Sequence, residues 1–218
     1  MSESIKRLII KCLPLEYKKS LKEQYFNIQK SPVYISLRKP FFKVKRTIVK
    51  TFFSYTPQQL EQKFREMGLK EGDTVFLHSA FHVFNGFEGS PQRLIDCVLD
   101  VIGSSGNLLM LSMPYEGTTH DYLTEGRPFD VKHTASCMGI VTEIFRRQKN
   151  VLRSLNPAHP VLAYGPKAAW FIADHDKTMY SCGKGSPFEK ALELDGKALF
   201  FDVTLKSMTF YHYIEYLI

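Results

Sequence analysis

One stretch of the sequence joins a strand pattern to a polar stripe: Ala198-Leu-Phe-Phe-Asp-Val-Thr-Leu-Lys-Ser-Met-Thr-Phe-Tyr-His-Tyr-Ile-Glu215. Its apolar run, Ala198 to Val203, predicts a buried strand, and a short polar break follows. Thr209, His212 and Glu215 then recur at every third position, so a hydroxyl, an imidazole and a carboxylate share one side of a predicted helix. Since α/β proteins place their chemistry beyond the ends of strands, this stripe is predicted to be catalytic. The alternative is a solvated helix face, but the aromatic neighbours of the stripe favour a buried helix.

Strand and helix patterns alternate along the chain before this stretch. Thr56-Pro57 and Ser90-Pro91 each pair an N-cap residue with a proline at the first helical position, and Leu60, Phe64 and Met67 give the first of these helices its apolar spacing. Strands are predicted at residues 74–78, 107–113, 161–164 and 198–203, and helices at 57–67, 91–102, 135–148, 166–175 and 187–195, with a final helix that carries the polar stripe. The alternation predicts an α/β layered domain with a mostly parallel sheet flanked by helices.

Length and composition restrict the class of protein. A chain of 218 residues, 44% of them hydrophobic, suffices for one large domain with an appendage. No apolar run reaches the roughly 20 residues that span a bilayer, and the N-terminus lacks the pattern of a signal peptide. The four cysteines, Cys12, Cys97, Cys137 and Cys182, are scattered, which argues against a zinc site and against a disulfide framework. We therefore expect a cytoplasmic protein without a metal ion.

The positive charge is concentrated at the N-terminus. Residues 1–54 contain 13 Lys and Arg against 3 Asp and Glu, whereas the rest of the chain contains 16 and 19. This division argues against nucleic-acid binding and predicts a basic N-terminal extension, 1–54, followed by a domain, 55–218. Prolines at positions 14, 32 and 40 are expected to cut the extension into short pieces. Two interpretations stay open: an arm that contacts an acidic inner-membrane surface, and an extension that packs on the domain, which the prolines favour.

Most common catalytic signatures are absent from the sequence. It contains no glycine-rich dinucleotide fingerprint, no phosphate-binding loop, no Gly-x-Ser-x-Gly elbow and no His-Glu-x-x-His helix. Two turns remain as candidate ligand cradles, because backbone N–H groups in such turns bind anions and amides. One is His78-Ser79-Ala80-Phe81 at a predicted strand end, and the other is Gly183-Lys-Gly-Ser-Pro-Phe188. An ordinary turn and a capped loop are the alternative interpretations.

A third candidate is the proline-framed loop Arg153-Ser-Leu-Asn-Pro-Ala-His-Pro160. The prolines fix the backbone on both sides of His159, and a histidine near its ordinary pKa can accept a proton at neutral pH. The alternative is a structural histidine bonded to a loop carbonyl. The long polar loop at residues 114–134 is predicted to be a lid or a substrate wall whose acidic residues suit a cation.

Taken together and in this order, the four features resemble the aminoglycoside 3-N-acetyltransferase family. The family pattern has His-Ser-Ser-Leu at a strand end, an Arg-Ser-x-His-Pro-x-His-Ser loop, a Gly-x-Gly-Ser-Pro-Leu turn and Thr-x-x-His-x-x-Glu on a helix. The corresponding segments here are His78 to Phe81, Arg153 to Pro160, Gly183 to Phe188 and Thr209 to Glu215. The resemblance extends from about Thr56 to the C-terminus, and it implies the fold of that family.

The resemblance also implies an activity. Members of the family are acyltransferases that move acetyl from acetyl-CoA to a primary amine of an aminoglycoside, which confers antibiotic resistance; another amino sugar is an equally reasonable acceptor here. By resemblance, His159 is the general base, steered by a carboxylate such as Glu215, and Thr209 and His212 belong to the same catalytic group. The residues expected to bind the coenzyme are His78, Ser79, Ala80, Phe81, Arg153, Ser154, Gly185, Ser186 and Pro187.

This sequence departs from the family pattern at several positions. Asn156 stands where members have His, Pro160 where they have Ser, and Asp202-Val203-Thr204 where they have Gly-Val-Gly. Members also continue beyond the final helix, so the resemblance implies a domain shortened at its C-terminal end. These departures favour the alternative function, a catalytically impaired member that docks on a membrane or a partner. The retained Thr209, His212 and Glu215 favour an active enzyme.

Overall fold

The computed structural model describes residues 31–218, so residues 1–30 of the expected extension lie outside the described residues. The chain divides into two compact units, Met1–Phe53 and Ser54–Ile218. The division falls one residue from the boundary expected between residues 54 and 55. The two units are described separately below.

The described part of the first unit is one long helix, α1, Pro32–Phe52. Pro32 is its first residue, a position where the missing N–H is harmless, and Pro40 lies inside it. The expectation that Pro32 and Pro40 divide this part of the extension into short pieces is wrong, and Pro14 lies outside the described residues. An internal proline removes one backbone hydrogen bond and kinks a helix at a cost of about 3 kcal/mol, but it does not have to end it.

The second unit is built on one five-stranded sheet. The strands are β1 Thr74–Ser79, β2 Asn107–Leu111, β3 Leu152–Arg153, β4 Val161–Tyr164 and β5 Lys197–Phe201, in the order β3-β4-β2-β1-β5. Strands β2 and β5 run parallel to β1, whereas β4 is antiparallel to both β2 and β3. Four of the five strands therefore point the same way, with β4 reversed. The predicted layered α/β fold with a mostly parallel sheet is confirmed.

Helices flank this sheet. They are α2 Pro57–Glu66, α3 Pro91–Ile102, α4 Thr119–Thr124, α5 Ile140–Arg146, α6 Ala168–Ile172, α7 Pro187–Glu193 and α8 Tyr211–Leu217, with short 3₁₀ turns at His175–Lys177 and Leu205–Ser207. Thr56, Ser90 and Ser186 each accept a hydrogen bond from the backbone N–H three residues later, as N-caps do. These caps explain why the starts of α2, α3 and α7 are legible in the sequence.

The core lies on both faces of the sheet. Val75 and Leu77 of β1 pack in one apolar cluster, together with residues of α2 and α3. Phe76, which points to the opposite face, packs in a second cluster with Phe171 of α6 and Phe188 of α7. Burial on both faces is the reason that β1 reads as a continuous apolar run and not as an alternating one.

Several predicted boundaries are wrong. The strand predicted at 107–113 ends at Leu111, and the helix predicted at 135–148 is reduced to α5 because the Cys137 N–H donates to the Met113 carbonyl (2.8 Å) outside any helix. The helix predicted at 166–175 is reduced to α6, and the strand predicted at 198–203 is β5. Met67, expected to face the core, is the exposed C-cap residue of α2. Strand β3 and helix α4 have no counterpart in the sequence prediction.

Within residues 31–218, no helix combines the length and the apolar character that crossing a bilayer requires.

Candidate functional site

Two cavities of the second unit meet at one residue, His212. The histidine cavity, of about 560 Å³, is lined by His159, Tyr180, Ser181, Cys182, His212, Glu215 and Tyr216. The strand-end cavity, of about 670 Å³, is lined by residues 77–82 at the end of β1, Leu111, Met113, residues 137–140, Thr142, Val203, residues 206–209 and His212. Of the thirteen residues singled out in the sequence, the structure places His78 to Phe81 and Thr209 on one cavity, His159 and Glu215 on the other, and His212 on both.

The strand-end cavity lies beyond the carboxyl ends of β1 and β5. These strands are parallel and paired up to Ser79 and Phe201, and the Ala80 N–H then donates to the Phe201 carbonyl (3.0 Å). The chain therefore turns away from the sheet at the same level on both strands. This is the edge at which α/β sheets bind ligands.

His78 and Ser79 bring polar atoms to the wall of this cavity. The His78 ring is stacked between Phe76 and Phe200, with ring centroids 5.2 and 5.0 Å away, and burial lowers the pKa of His78 to about 4. His78 Nε2 and Ser79 Oγ are buried and have no hydrogen-bond partner within the described part of the chain. Such orphaned groups are costly unless a water or a ligand satisfies them, so they suit a ligand with amide or hydroxyl groups.

His212 and Glu215 form a pair on α8. His212 Nδ1 lies 2.8 Å from Glu215 Oε2, and both side chains are more than half exposed. A carboxylate only accepts hydrogen bonds, so in the neutral imidazole Nδ1 carries the proton and Nε2 has the lone pair. The pair therefore presents an oriented, solvent-accessible base at the junction of the two cavities.

His159 lies beside this pair in a different environment. Its Nδ1 lies 2.6 Å from Ser181 Oγ, and its ring centroid lies 5.9 Å from that of His212. Burial, and then the neighbouring His212 and His175, lower the pKa of His159 to about 4. The pKa of His159 therefore lies below the ordinary value that the sequence suggested, and Glu215 is hydrogen-bonded to His212 and not to His159. That His159 is the base steered by a carboxylate stays a prediction.

The loop that carries His159 is fixed by Asn156. The Asn156 side-chain oxygen accepts hydrogen bonds from the N–H groups of Ala158 and His159 (3.0 and 3.1 Å), and its amide donates to the His175 carbonyl (3.0 Å). An amide side chain has the donor and the acceptor that these partners need. Asn156, which departs from the family pattern, thus holds the loop closed.

His175 is a component of the site region that the sequence did not reveal. Its Nε2–H donates to the Ser181 carbonyl (2.7 Å), and its Nδ1 accepts from the Ser154 hydroxyl (2.7 Å). The ring is fully buried, and burial lowers its pKa. It fixes the position of Ser181, whose hydroxyl is hydrogen-bonded to His159. No sequence signal identified it, since a single histidine between two aspartates reads as an exposed turn.

Arg153 and Ser154 do not line either cavity. The buried Arg153 guanidinium donates to the carbonyls of Thr134 (2.6 Å) and Ser112 (2.5 Å) and lies 4.7 Å from the Phe129 ring centroid. Ser154 is fully buried and accepts from the Val161 N–H (2.9 Å). Both residues hold the loops together, and that they bind the coenzyme stays a prediction.

The polar groups of the turn before α7 are likewise hydrogen-bonded to the helix that follows. The Gly185 N–H donates to Glu189 Oε2 (2.6 Å), Ser186 caps α7, and Pro187 is buried at its first turn. The N–H group expected to meet a ligand is therefore already satisfied, and the turn lies outside both cavities. The capped-loop interpretation is the one that the structure supports.

Two further expectations concern residues 114–134 and helix α8. Residues 114–134 line neither cavity within the described chain, because Tyr115 and Tyr122 are buried and stacked (4.5 Å) and Tyr115 donates to the Ala158 carbonyl (2.7 Å). The loop supports the His159 loop, and its role as a lid or a substrate wall stays a prediction. Helix α8 was expected to be buried, but among its residues only Tyr213 is buried. The aromatic residues around the stripe are thus largely at the surface.

Asp202 replaces a glycine of the family pattern at the end of β5. Its φ of 57° lies in the left-handed region that favours glycine, and its carboxylate accepts a hydrogen bond from the His82 N–H (2.7 Å). This contact ties the end of β5 to the loop after β1. The substitution therefore keeps the turn and adds a link across the edge of the strand-end cavity.

Cys182 lines the histidine cavity but is not an activated thiol. It is 5% exposed, and burial raises its pKa to about 12. A thiol with such a pKa is a poor nucleophile at neutral pH. Residues 31–218 also contain no group of three or more His, Cys, Asp or Glu side chains arranged to hold a metal ion.

The chain is similar to proteins of one family. The family model described as "Aminoglycoside 3-N-acetyltransferase" matches residues 76–218. Aminoglycoside N(3)-acetyltransferase III of Acinetobacter baumannii is 25% identical over 173 residues, which cover 74% of this chain and 60% of that protein. The solved structure of AAC-IIIb in a binary complex with CoASH is 30% identical, covers 75% of this chain and 65% of its own, and superposes with a TM-score of 0.66.

A second solved structure, AAC-VIa bound to sisomicin, is 26% identical, with a TM-score of 0.63 over 74% of this chain and 65% of that one. The chain thus spans about 60% of the length of the first curated relatives that it matches.

Proposed function

Because the chain belongs to the aminoglycoside 3-N-acetyltransferase family, we propose that it transfers acetyl from acetyl-CoA to a primary amine of an aminoglycoside or another amino sugar. The observation that carries this proposal is the position of His212, which lines both cavities and is paired with Glu215. A transferase must bring two substrates to one proton acceptor, and a residue that lines both cavities suits this requirement. Solved relatives that carry CoASH and sisomicin add support from similarity.

The acyl donor is assigned to the strand-end cavity. Its wall has the orphaned polar atoms His78 Nε2 and Ser79 Oγ, the turn from Ala80 to Phe81, and apolar side chains such as Met138. The pantetheine arm of acetyl-CoA alternates amides with methylene groups, which suits such a lining. The lining of this cavity includes Lys206 and no carboxylate, so a phosphate-bearing ligand meets no negative charge there.

The chemistry is a direct displacement. The neutral amine nitrogen attacks the thioester carbonyl carbon, a C–N bond forms, the C–S bond breaks, and the amine proton passes to a base while the CoA thiolate leaves. An ammonium has no lone pair, so proton removal is required, and a positioned base contributes roughly 10²–10⁴-fold to such a step. The raised pKa of Cys182 fits a path without an acyl-enzyme.

We assign His212 Nε2 as the atom that accepts the amine proton. Glu215 orients the ring and stabilises the imidazolium as it forms, by the same logic that orients histidine bases elsewhere. His159, the base proposed from the sequence, is a second candidate because it lies in the same cavity, but its pKa of about 4 makes it a weak proton acceptor. Thr209, in the wall of the strand-end cavity, is assigned to the oxyanion that develops on the thioester carbonyl.

A thiol-release assay tests this function. Acetyl-CoA is incubated with the full chain and a panel of aminoglycosides and nucleotide-linked amino sugars, and free thiol and acetylated amine are both measured. We expect amine-dependent release of thiol and a product heavier by one acetyl group. Binding of acetyl-CoA without turnover on any acceptor would favour the catalytically impaired alternative.

We also propose that α1 contacts an anionic membrane surface, for which its side chains give a specific reason. The helix contains six Lys or Arg and no Asp or Glu. Phe41, Val44, Ile48 and Phe52 recur at helical spacing and are all exposed. A basic helix with an exposed apolar stripe has the chemistry of interfacial membrane binding.

Vesicle co-sedimentation tests this second proposal. The full chain is mixed with neutral vesicles and with vesicles that contain anionic lipid, and Val44→Glu is compared with the charge-matched Thr47→Glu, which lies off the stripe. We expect binding to anionic vesicles that Val44→Glu weakens more than Thr47→Glu does. Equal binding by both variants, or no binding by the unmodified chain, would overturn the proposal.

A further inference from the structure

Two tyrosines stand at the wall of the histidine cavity without being used by the proposed chemistry. Tyr180, in the loop before α7, and Tyr216, on α8, have ring centroids 5.5 Å apart and planes inclined by 50°. They are 57% and 40% exposed. Both rings line the same concave surface and keep about half of their area exposed, so each can contact a ligand there.

The position of these two rings is fixed by Gly183 and Tyr213. The Gly183 N–H donates to the Tyr180 carbonyl (2.9 Å) and closes the turn on which Tyr180 lies. A Cβ on Gly183 would lie 3.0 Å from Tyr180 Cβ and 3.1 Å from the Tyr216 ring, so the glycine makes room for both residues. Tyr216 also stacks on the buried Tyr213, with ring centroids 6.2 Å apart.

The charge of the cavity complements a cation. Glu215, 53% exposed, lines the same cavity as the two rings. Among the described residues it forms an ion pair with His212 and none with a Lys or an Arg. The neighbouring strand-end cavity has the opposite character, with Lys206 and no carboxylate in its lining. The two cavities therefore differ in the sign of the ligand that they suit.

We propose that Tyr180 and Tyr216, together with Glu215, form the subsite that holds the cationic amino-sugar acceptor beside His212. The aromatic faces take the apolar face of a sugar ring and a neighbouring ammonium group, and the carboxylate takes a further ammonium. This inference rests on the proposed function and adds to it: the acceptor enters the histidine cavity, and acetyl-CoA enters the strand-end cavity.

The test compares alanine and phenylalanine variants in the full chain. The Michaelis constants for the acceptor and for acetyl-CoA are measured for Tyr180→Ala, Tyr216→Ala, Tyr216→Phe and the control Tyr211→Ala. Tyr211 is an exposed tyrosine of the same helix that lines neither cavity. Loss of a ring should raise KM for the amine by roughly 5- to 30-fold, the equivalent of 1–2 kcal/mol. KM for acetyl-CoA should stay unchanged, and Tyr216→Phe should resemble the unmodified chain.

Direct binding separates this inference from the activity on which it rests. Calorimetric titration with sisomicin needs no turnover, and it should show binding that Tyr211→Ala keeps and that Tyr180→Ala and Tyr216→Ala weaken. If the chain acetylates no amine yet shows this pattern, the proposed function fails and the subsite stands. Equal KM and equal binding in all alanine variants, or no binding of sisomicin and of every amino sugar in the panel, would overturn the subsite.

Discussion

Burial is the main reason that three histidines near the site are held neutral. Burial lowers the pKa values of His78 and His159 to about 4 and also lowers that of His175. Each ring is placed by stacking or by hydrogen bonds to Ser154 and Ser181. His212, in contrast, is exposed and paired with a carboxylate. At the scale of the residue, the site therefore combines three histidines that are buried or partly buried with an exposed one, His212, that is bonded to a carboxylate.

Replacing Glu215 by Gln tests the carboxylate of the pair. The amide keeps the shape but cannot stabilise a positive charge on His212, so we expect kcat/KM to fall roughly 10- to 100-fold, part of the effect of a positioned base. Thiol release with saturating acetyl-CoA measures this. Glu66→Gln, at an exposed position of α2, is the control and should keep full activity. An unchanged rate in Glu215→Gln would remove Glu215 from the catalytic group.

The buried histidines also predict how stability depends on pH. In the unfolded chain each histidine binds a proton near pH 6.5, whereas in the folded protein His78 and His159 bind a proton only near pH 4. Between these values the unfolded state carries more protons, so the free energy of unfolding must decrease as the pH falls from about 6.5 to about 4. We expect a loss on the order of 2 kcal/mol for each of the two histidines.

Urea denaturation at pH 7.5, 6 and 5 measures this loss. His78→Phe, which keeps the stack between Phe76 and Phe200 but cannot bind a proton, should show a shallower decrease. A free energy of unfolding that does not change between pH 7.5 and 5 would contradict the assigned burial.

At the scale of the element, predictability follows the local origin of the signal. Helix α3 is read correctly from Ser90 to Gly103 because its cap, its apolar spacing and its terminal glycine all lie within the segment. The helix predicted at 135–148 begins too early because the Cys137 N–H is bonded to the Met113 carbonyl, a partner distant in sequence. Strand β3 has two residues and exists through its pairing with β4. Neither partner is visible in a local pattern.

Gly165 provides a test of how closely β4 approaches β2. Its φ is 118°, and a Cβ there would lie 2.3 Å from the Gly106 carbonyl oxygen. Gly165→Ala therefore adds a backbone clash to left-handed strain and should cost about 3 kcal/mol or more. Gly117, with φ of 99° and no atom within 4 Å of such a Cβ, is the matched control and should cost about 1 kcal/mol. Equal losses in urea denaturation would contradict the close approach.

At the scale of the whole molecule, the sequence gives the layered fold and the segments that line the cavities, but not their partners. The ordered motifs place His78, His159, His212 and Glu215 in one region. They do not reveal that Glu215 bonds His212, since this depends on the rotation of α8 relative to the His159 loop. They also do not reveal that Arg153 holds two loops together, because a buried hydrogen bond to a carbonyl leaves no pattern in the sequence.

The division of the chain predicts that the first unit can be removed. The sheet, the core and both cavities belong to residues 54–218. Deletion of residues 1–53 should leave Tm within about 4 °C, the shift that 1 kcal/mol produces in a domain of this size. Binding of acetyl-CoA should be retained, and binding to anionic vesicles should be lost. A shortened chain that fails to fold would contradict the division into two units.

The central claim is that His212 accepts the amine proton between the two cavities. Its most direct test is the rate of thiol release for His212→Ala and His159→Ala, measured side by side with the best acceptor, while calorimetry confirms that acetyl-CoA still binds. We predict that His212→Ala lowers kcat by roughly 10²–10⁴ and that His159→Ala has a smaller effect. Turnover by His212→Ala at the rate of the unmodified chain would contradict the claim.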